Sequence, residues 1–299
     1  MERINELQSF NLSEENEREI VFLESSFFRS PNRHLPTPAQ VKASSGDAST
    51  SSQPRPVTFE NLGLIVKFGP YVTVAEARCL RFIRMTFQER VPVPEVFGWR
   101  IDEESNVFIY MEPIEGQTLL DRWDWLSTLD RNALCDQLHH IIGGLRQLEQ
   151  EASDKYIRSL GQKRLLEYVF QEEREAGPFS SIEEFNDWFS FLPQSRFPML
   201  NRYKDPYREF LPDTGEIKFT HADLHRGNII VSTTGPARIL AIVDWAQAGW
   251  YPDYWEYCKA RYTCWYEDEW GLVWIEKFLF PRVQEFEIFA GYTMAMGAI

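Results

Sequence analysis

The plainest pattern of apolar and polar positions lies in the last third of the chain, where two apolar runs flank one polar turn. Ile229, Ile230 and Val231 lead into Ser232, Thr233, Thr234, Gly235 and Pro236, and residues 239–243 (Ile-Leu-Ala-Ile-Val) return. This spacing predicts a β-hairpin. A turn centred near Gly235 sets Asn228 and Asp244 side by side, with His221 and Asp223 in a short loop just upstream. A carboxamide and a carboxylate at one strand end, with a second carboxylate five residues earlier, are hard oxygen ligands of the kind that hold Mg²⁺ on a nucleotide.

Further upstream the period shifts between strand and helix. Residues 57–60 and 64–68 read as two strands separated by Asn61, Leu62 and Gly63, and Lys67 falls in the second among Ile65, Val66 and Phe68. An ammonium in an apolar strand is costly unless an anion meets it. Glu76 supplies one: it shares a helical face with Leu80, Ile83 and Phe87 and so points toward the sheet that carries Lys67. Thr73 and Glu76 also form a T-x-x-E capping box. Residues 91–96 form a proline-punctuated crossover into a strand at Phe97, Gly98 and Trp99; the next strand, Val107–Met111, runs into Glu112, Pro113, Ile114, Glu115 and Gly116. Before all this, Ser13, Glu14, Glu15 and Glu17 signal a helix start, with Ile20, Leu23 and Phe27 at helical spacing up to about Phe28. Residues 42–56 are Ser-rich and read as a flexible segment. Residues 118–211 read as mostly helical: Cys135, Leu138, His139, Ile142, Leu145 and Leu148 make one long stripe, and Ser180 or Ser181 opens a capped helix.

Composition narrows the possibilities. With 299 residues, 43% hydrophobic and 15% aromatic, the chain is globular. Its net charge of −14 argues against a nucleic-acid partner and fits a cationic substrate as well as plain solubility. No run reaches the roughly 18 consecutive apolar residues of a membrane span, and the charged N-terminus lacks an apolar leader core, so the expectation is a cytoplasmic protein with no membrane partner. Cys79, Cys135, Cys258 and Cys264 are scattered, which predicts reduced thiols rather than disulfides or zinc. Rings and acids interleave from Trp250 to Trp270, including Asp253, Tyr254, Trp255, Glu256, Tyr266 and Asp268. Such a run could hold an amine by cation–π attraction. The reading adopted is a helix pair with an aromatic inner face and a solvated acidic outer face.

H-x-D-x-x-x-x-N, a short hairpin and an apolar-flanked Asp together resemble the catalytic core of the protein-kinase-like fold. The wording HADLHRGN and IVDW looks like the aminoglycoside phosphotransferase and choline kinase-like branch. The resemblance implies an α+β, two-lobed protein-kinase-like fold, with a small antiparallel β-sheet N-lobe carrying one packed helix and a larger, mainly α-helical C-lobe. Residues 1–56 would form an N-terminal helix and Ser-rich segment, 57–112 the nucleotide-binding lobe and 113–299 the catalytic lobe. It further implies Asp223 as the base that accepts the acceptor's proton, Asn228 and Asp244 as magnesium ligands, and Lys67 on the α- and β-phosphates with Glu76 as its ion-pair partner. Met111, Glu112 and Ile114 would present backbone groups to the adenine edge, and His221 would brace the loop.

The function implied is an ATP- and Mg²⁺-dependent phosphotransferase, with GTP an alternative donor, acting on a hydroxyl of a small acceptor; protein partners are unknown. A G-x-G-x-x-G is missing, the Ser-rich segment being the one stand-in, and this keeps a nucleotide-binding or scaffolding pseudokinase as the alternative. The array His221, Asp223, His225 supports a third reading, a metal-dependent hydrolase.

Overall fold

A computed structural model describes residues 18–46, 56–161, 163–170, 176–265 and 267–297. They divide into two compact units, one built from residues up to Leu119 with 229–235 and 239–246, the other from 120–228, 236–238 and the rest. This division sets no boundary at residue 56, and it draws the hairpin into the first unit. Elements are numbered in chain order.

The first unit is a five-stranded antiparallel sheet in the order β1-β4-β5-β3-β2, with β1 at Glu19–Val21, β2 at Val57–Phe59, β3 at Leu64–Gly69, β4 at Val96–Ile101 and β5 at Val107–Met111. Period-2 burial follows from the pleat. Leu64, Val66 and Phe68 face one side, where they join Phe27, Leu35, Val41, Phe108 and Tyr110 in a core. Lys67 therefore faces the other side, in one cross-strand row with Ile109 and Trp99. Helix α2 (Val74–Phe87) covers that side, and its Arg78 guanidinium lies 5.8 Å from the Trp99 ring. A second, small sheet orders β10 (Ile239–Ile242), β9 (Ile229–Val231) and β6 (Gln117–Thr118), so the predicted hairpin is present, with Gly235 in the left-handed region at φ 70°. Gly116 lies against it so closely that a Cβ there would come within 2.7 Å of the Val231 carbonyl oxygen.

Several local expectations change. The helix expected to run to Phe28 is instead β1, with Glu19 opposite Arg100 and Ile20 opposite Trp99. Three consecutive strand formers, Ile20, Val21 and Phe22, meet the free edge of β4, and Leu23, part of the supposed helical stripe, is 72% exposed. Ser13 to Glu17 lie outside the described residues. The Ser-rich segment begins within a helix, α1 (Pro38–Ser45), whose start signal is upstream: Thr37 and Gln40 form the reciprocal capping box. Residues 47–55 of that segment lie outside the described residues.

The division falls within the short helix α3 (Leu119–Arg122), after its first residue, and the second unit continues through α4 (Thr128–Leu145), β7 (Arg158–Ser159), α5 (Ile182–Phe191), β8 (Ile217–Thr220), β11 (Gly249–Pro252), α6 (Trp255–Tyr262) and α7 (Val283–Met296). Strand β11 pairs with β7 and β8. Between α4 and α5 the described residues are mostly irregular rather than helical: Ile157, Leu165, Val169, Phe170 and Phe179 are buried at uneven spacing, and Gly161 and Gly177 adopt positive φ. Ser181 caps α5 by accepting from the Glu184 amide. His139, placed on the α4 stripe by periodicity, is exposed. Trp255 centres the core, with Phe185, Phe189 and Phe289 edge-on at 5.0–5.2 Å and Tyr251 stacked at 5.5 Å. Cys79, Cys135 and Cys258 are buried free thiols, and Cys264 is a half-buried one. Among the described residues no helix is long and apolar enough to cross a membrane.

Candidate active site

In the first unit, the alternation of β3 and the inward stripe of α2 bring an ammonium between two carboxylates. Lys67 Nζ donates to Glu76 Oε1 at 2.8 Å and to Asp244 Oδ1 at 2.9 Å. Burial opposes the lysine's charge, but Glu76 and Asp244 outweigh it and raise the pKa above the ordinary lysine range. Glu76 is 1% exposed, and burial pushes its carboxyl up to about 7 against the pull of Lys67. Its Oε2 has no hydrogen-bond partner among the described residues. The expected capping role is not the one it plays: Thr73 makes no side-chain cap, its Oγ1 is also unpartnered, and the Glu76 side chain is turned to Lys67 instead. Asp244 sits at φ 64°, a left-handed backbone that carboxylate residues tolerate better than most.

Met111 closes β5, and Glu112 and Ile114 follow it. Met111 is buried opposite Ile65, and the Glu112 amide donates to the Glu95 carbonyl at 2.9 Å. That amide is taken up within the sheet, so of the backbone groups of Glu112 the carbonyl is the one that faces no strand partner there. The Gly116 amide donates to the Ile114 carbonyl at 2.9 Å.

In the second unit, β8 delivers the loop His221–Asn228, which folds on its own amides. The Asp223 amide donates to His221 Nδ1 at 3.1 Å, and the Gly227 amide donates to His225 Nδ1 at 3.0 Å. Asn228 Nδ2 donates to the Asp223 carbonyl at 2.9 Å and to its carboxylate Oδ2 at 3.3 Å. Ala222 lies at φ 64°, which costs a β-carbon residue about 1–2 kcal/mol and needs a restraint from outside the loop. Glu256, on α6, is that restraint: its Oε2 accepts from the His221 amide at 2.7 Å and its Oε1 from the Ala222 amide at 3.2 Å. Burial pushes Glu256 up to about 7, with the two amides pulling it down.

Glu256 was not legible as a site residue. It fell within the acids expected on a solvated outer face, yet it is 2% exposed. The rings of that run do turn inward: Trp250, Tyr251, Tyr254, Trp255, Tyr257 and Trp270 are buried, while Trp265 is 87% exposed and Tyr266 lies outside the described residues. Asp268 pairs with Arg226, whose guanidinium lies 5.6 Å from the Trp123 ring and 5.8 Å from Trp270. A second buried pair escaped prediction as well. Lys259 pairs with Glu167 and reaches Gln247 Oε1 at 3.2 Å, and Trp255 Nε1 donates to Glu167 Oε2 at 3.1 Å.

The array of His221, Asp223 and His225 is not a chelate. Both Nδ1 atoms accept loop amides, and among the described residues no group of three or more His, Cys, Asp or Glu could hold a metal ion.

An α+β chain with this loop and hairpin has a kinase-like fold. The chain belongs to the phosphotransferase enzyme family, whose model matches residues 59–279. Among solved structures it is similar to aminoglycoside phosphotransferase APH(4)-Ia, at TM-score 0.50 and 14% identity over 81% of this chain and 79% of that one. A thermostable mutant of the same enzyme, in apo form, gives TM-score 0.52 and 14% identity over 81% and 80%. At such identity the likeness establishes the fold. Two Aspergillus fumigatus proteins named subtelomeric hrmA-associated cluster proteins are 30% identical over 123 residues and 31% over 87. Those matches take in 38% and 28% of this chain but only 22% and 15% of the relatives, so the chain spans about a fifth or less of their length.

Proposed function

We propose that this chain transfers the γ-phosphate of ATP, or of GTP, to a hydroxyl of a small acceptor in the cytoplasm, with Mg²⁺. The observation that carries the reading is the loop around Asp223. Asn228 takes up carboxylate Oδ2, and Oδ1 is left to receive the acceptor's proton. The acceptor oxygen forms its bond to the γ-phosphorus as the bond to the nucleoside diphosphate breaks, and the proton passes to Asp223. Phosphoryl transfer has a loose transition state, so positioning and charge account for most of the catalysis.

Lys67, already shared between two carboxylates, would hold the α- and β-phosphates, with Glu76 fixing its direction. Each proposed Mg²⁺ ligand carries a suitable hard oxygen: Asn228 commits its Nδ2 to Asp223, which leaves its Oδ1, and the Asp244 carboxylate is 34% exposed. When bound, the ion neutralises phosphate charge. The Glu112 carbonyl and the Ile114 amide, on the exit from buried Met111, are the backbone groups for an adenine edge.

The test is ADP release with Mg-ATP, and with Mg-GTP, across amine sugars, choline-like alcohols and neutral alcohols, with product mass read in parallel. One acceptor class should release one diphosphate per phosphorylated product. Nucleotide binding without transfer to any acceptor would favour the scaffolding alternative instead.

A further inference from the structure

We propose that His225 is a positioning residue for Asp223: an imidazole held with Nδ1 as acceptor and Nε2 as donor, whose Nε2–H donates to carboxylate Oδ2 when substrate binds and so reserves Oδ1 for the acceptor's proton. This rests on the phosphotransferase reading of the loop.

The lock is built from the chain itself. A backbone amide can only donate, so the Gly227 N–H at 3.0 Å makes His225 Nδ1 an acceptor and places the ring's proton on Nε2. The ring sits so close over residue 227 that a Cβ there would lie 2.7 Å from His225 Cε1 and 2.9 Å from Nδ1, so glycine is what admits the imidazole. The backbone of His225 is pinned on both sides: its amide donates to the Asp223 carbonyl at 3.0 Å, and its carbonyl accepts from the Asn228 amide at 2.9 Å.

Held this way, Nε2 stands 4.0 Å from Asp223 Oδ2, the oxygen that Asn228 Nδ2 also approaches at 3.3 Å. Catalytic hydrogen bonds are often long before substrate binds and tighten in the complex. At 4.0 Å the pair is short of hydrogen-bond distance, and the proposal requires it to tighten when substrate binds. Two donors on Oδ2 would fix the carboxylate plane, and the oxygen left over is the one available to a hydroxyl. His225 thus acts through Asp223 and touches neither the phosphate nor the acceptor in this scheme.

Two measurements on the full chain test it. Long-range ¹⁵N–¹H correlation of the histidine rings should show His225 as the Nε2–H tautomer; an Nδ1–H ring overturns the lock. Steady-state kinetics should show His225→Leu lowering kcat roughly 10- to 100-fold, the effect of losing one hydrogen bond to a charged group, with KM for nucleotide within about twofold. His225→Gln, which keeps a donor near the Nε2 position, should recover most of that loss at an unchanged melting temperature. Turnover of His225→Leu equal to wild type, or a His225→Gln variant no faster than the leucine variant, overturns the positioning role. A wild type that turns over no acceptor instead overturns the phosphotransferase reading, and the positioning role with it, while the tautomer still reports the lock alone.

Discussion

Glu76 and Glu256 are the same side chain under nearly the same burial, one in each unit, answered in opposite ways. They are 1% and 2% exposed, and burial lifts each carboxyl to about 7. Glu76 is met by a side-chain charge, the Lys67 ammonium that Asp244 also shares, and one of its oxygens is left without a partner among the described residues. Glu256 is met by two fixed, neutral donors, the amides of His221 and Ala222, one on each oxygen. An ion pair can exchange a carboxylate for a phosphate when an anion arrives. A carboxylate held by main-chain amides has no charged partner to exchange. On the proposed reading, the first unit carries the partner that changes during a catalytic cycle, and the second carries the brace that does not.

Breaking the brace should cost most. Glu256→Ala strands two buried amides, at about 1–3 kcal/mol each, so denaturant unfolding at pH 7 should show a loss of about 3 kcal/mol, with kcat falling alongside. Glu256→Gln, which keeps one acceptor oxygen, should lose less than half of that. Removing the exchangeable charge comes next: Lys67→Met leaves Glu76 facing Asp244 and should lower stability by about 2 kcal/mol, discounted because Asp244 is partly exposed and Glu76 can take up a proton. The same variant should raise KM for nucleotide much more than Glu256→Gln does.

The smallest effect separates the two carboxylates by pH. In the folded chain Glu256 keeps its proton up to about pH 7, against an ordinary value of 4.5. Between those values the folded state binds more protons than the unfolded state, so the stabilisation present below 4.5 is lost as pH rises through 7. The slope is at most about 1.4 kcal/mol per pH unit for one group. Midpoints of denaturant unfolding at pH 5.5 and 7.5 should show the decline in wild type and a shallower one in Glu256→Gln. An equal slope in both would mean that Glu256 is not the group responsible.

Local pattern carried some of this arrangement. Alternation in β3 places Lys67 off the apolar face, the 3.6-residue stripe of α2 turns Glu76 inward, and the turn residues around Gly235 give the hairpin; each depends on neighbours within a few positions. Glu256 depends on donors 34 and 35 residues upstream, and nothing in the run Trp-Glu-Tyr-Cys-Lys-Ala marks which acid will meet them. The Glu167–Lys259 pair spans 92 residues and is hidden for the same reason. Strand β1 was misread because its partner edge on β4 lies about 80 residues away, and a short segment takes the structure that its partner offers. The histidines of the loop were legible as chemistry but not as geometry. Their spacing suits chelation on a strand, whereas the loop spends both Nδ1 atoms on its own amides.

The most direct test of the central claim compares wild type with Asp223→Asn for Mg-ATP binding by thermal shift and for ADP release with the best acceptor from the panel. Nucleotide should raise the melting temperature of both proteins, while release by the variant should fall by about 10³-fold, within the range for losing a general base. Equal release by the two proteins would remove Asp223 from the reaction and contradict the account.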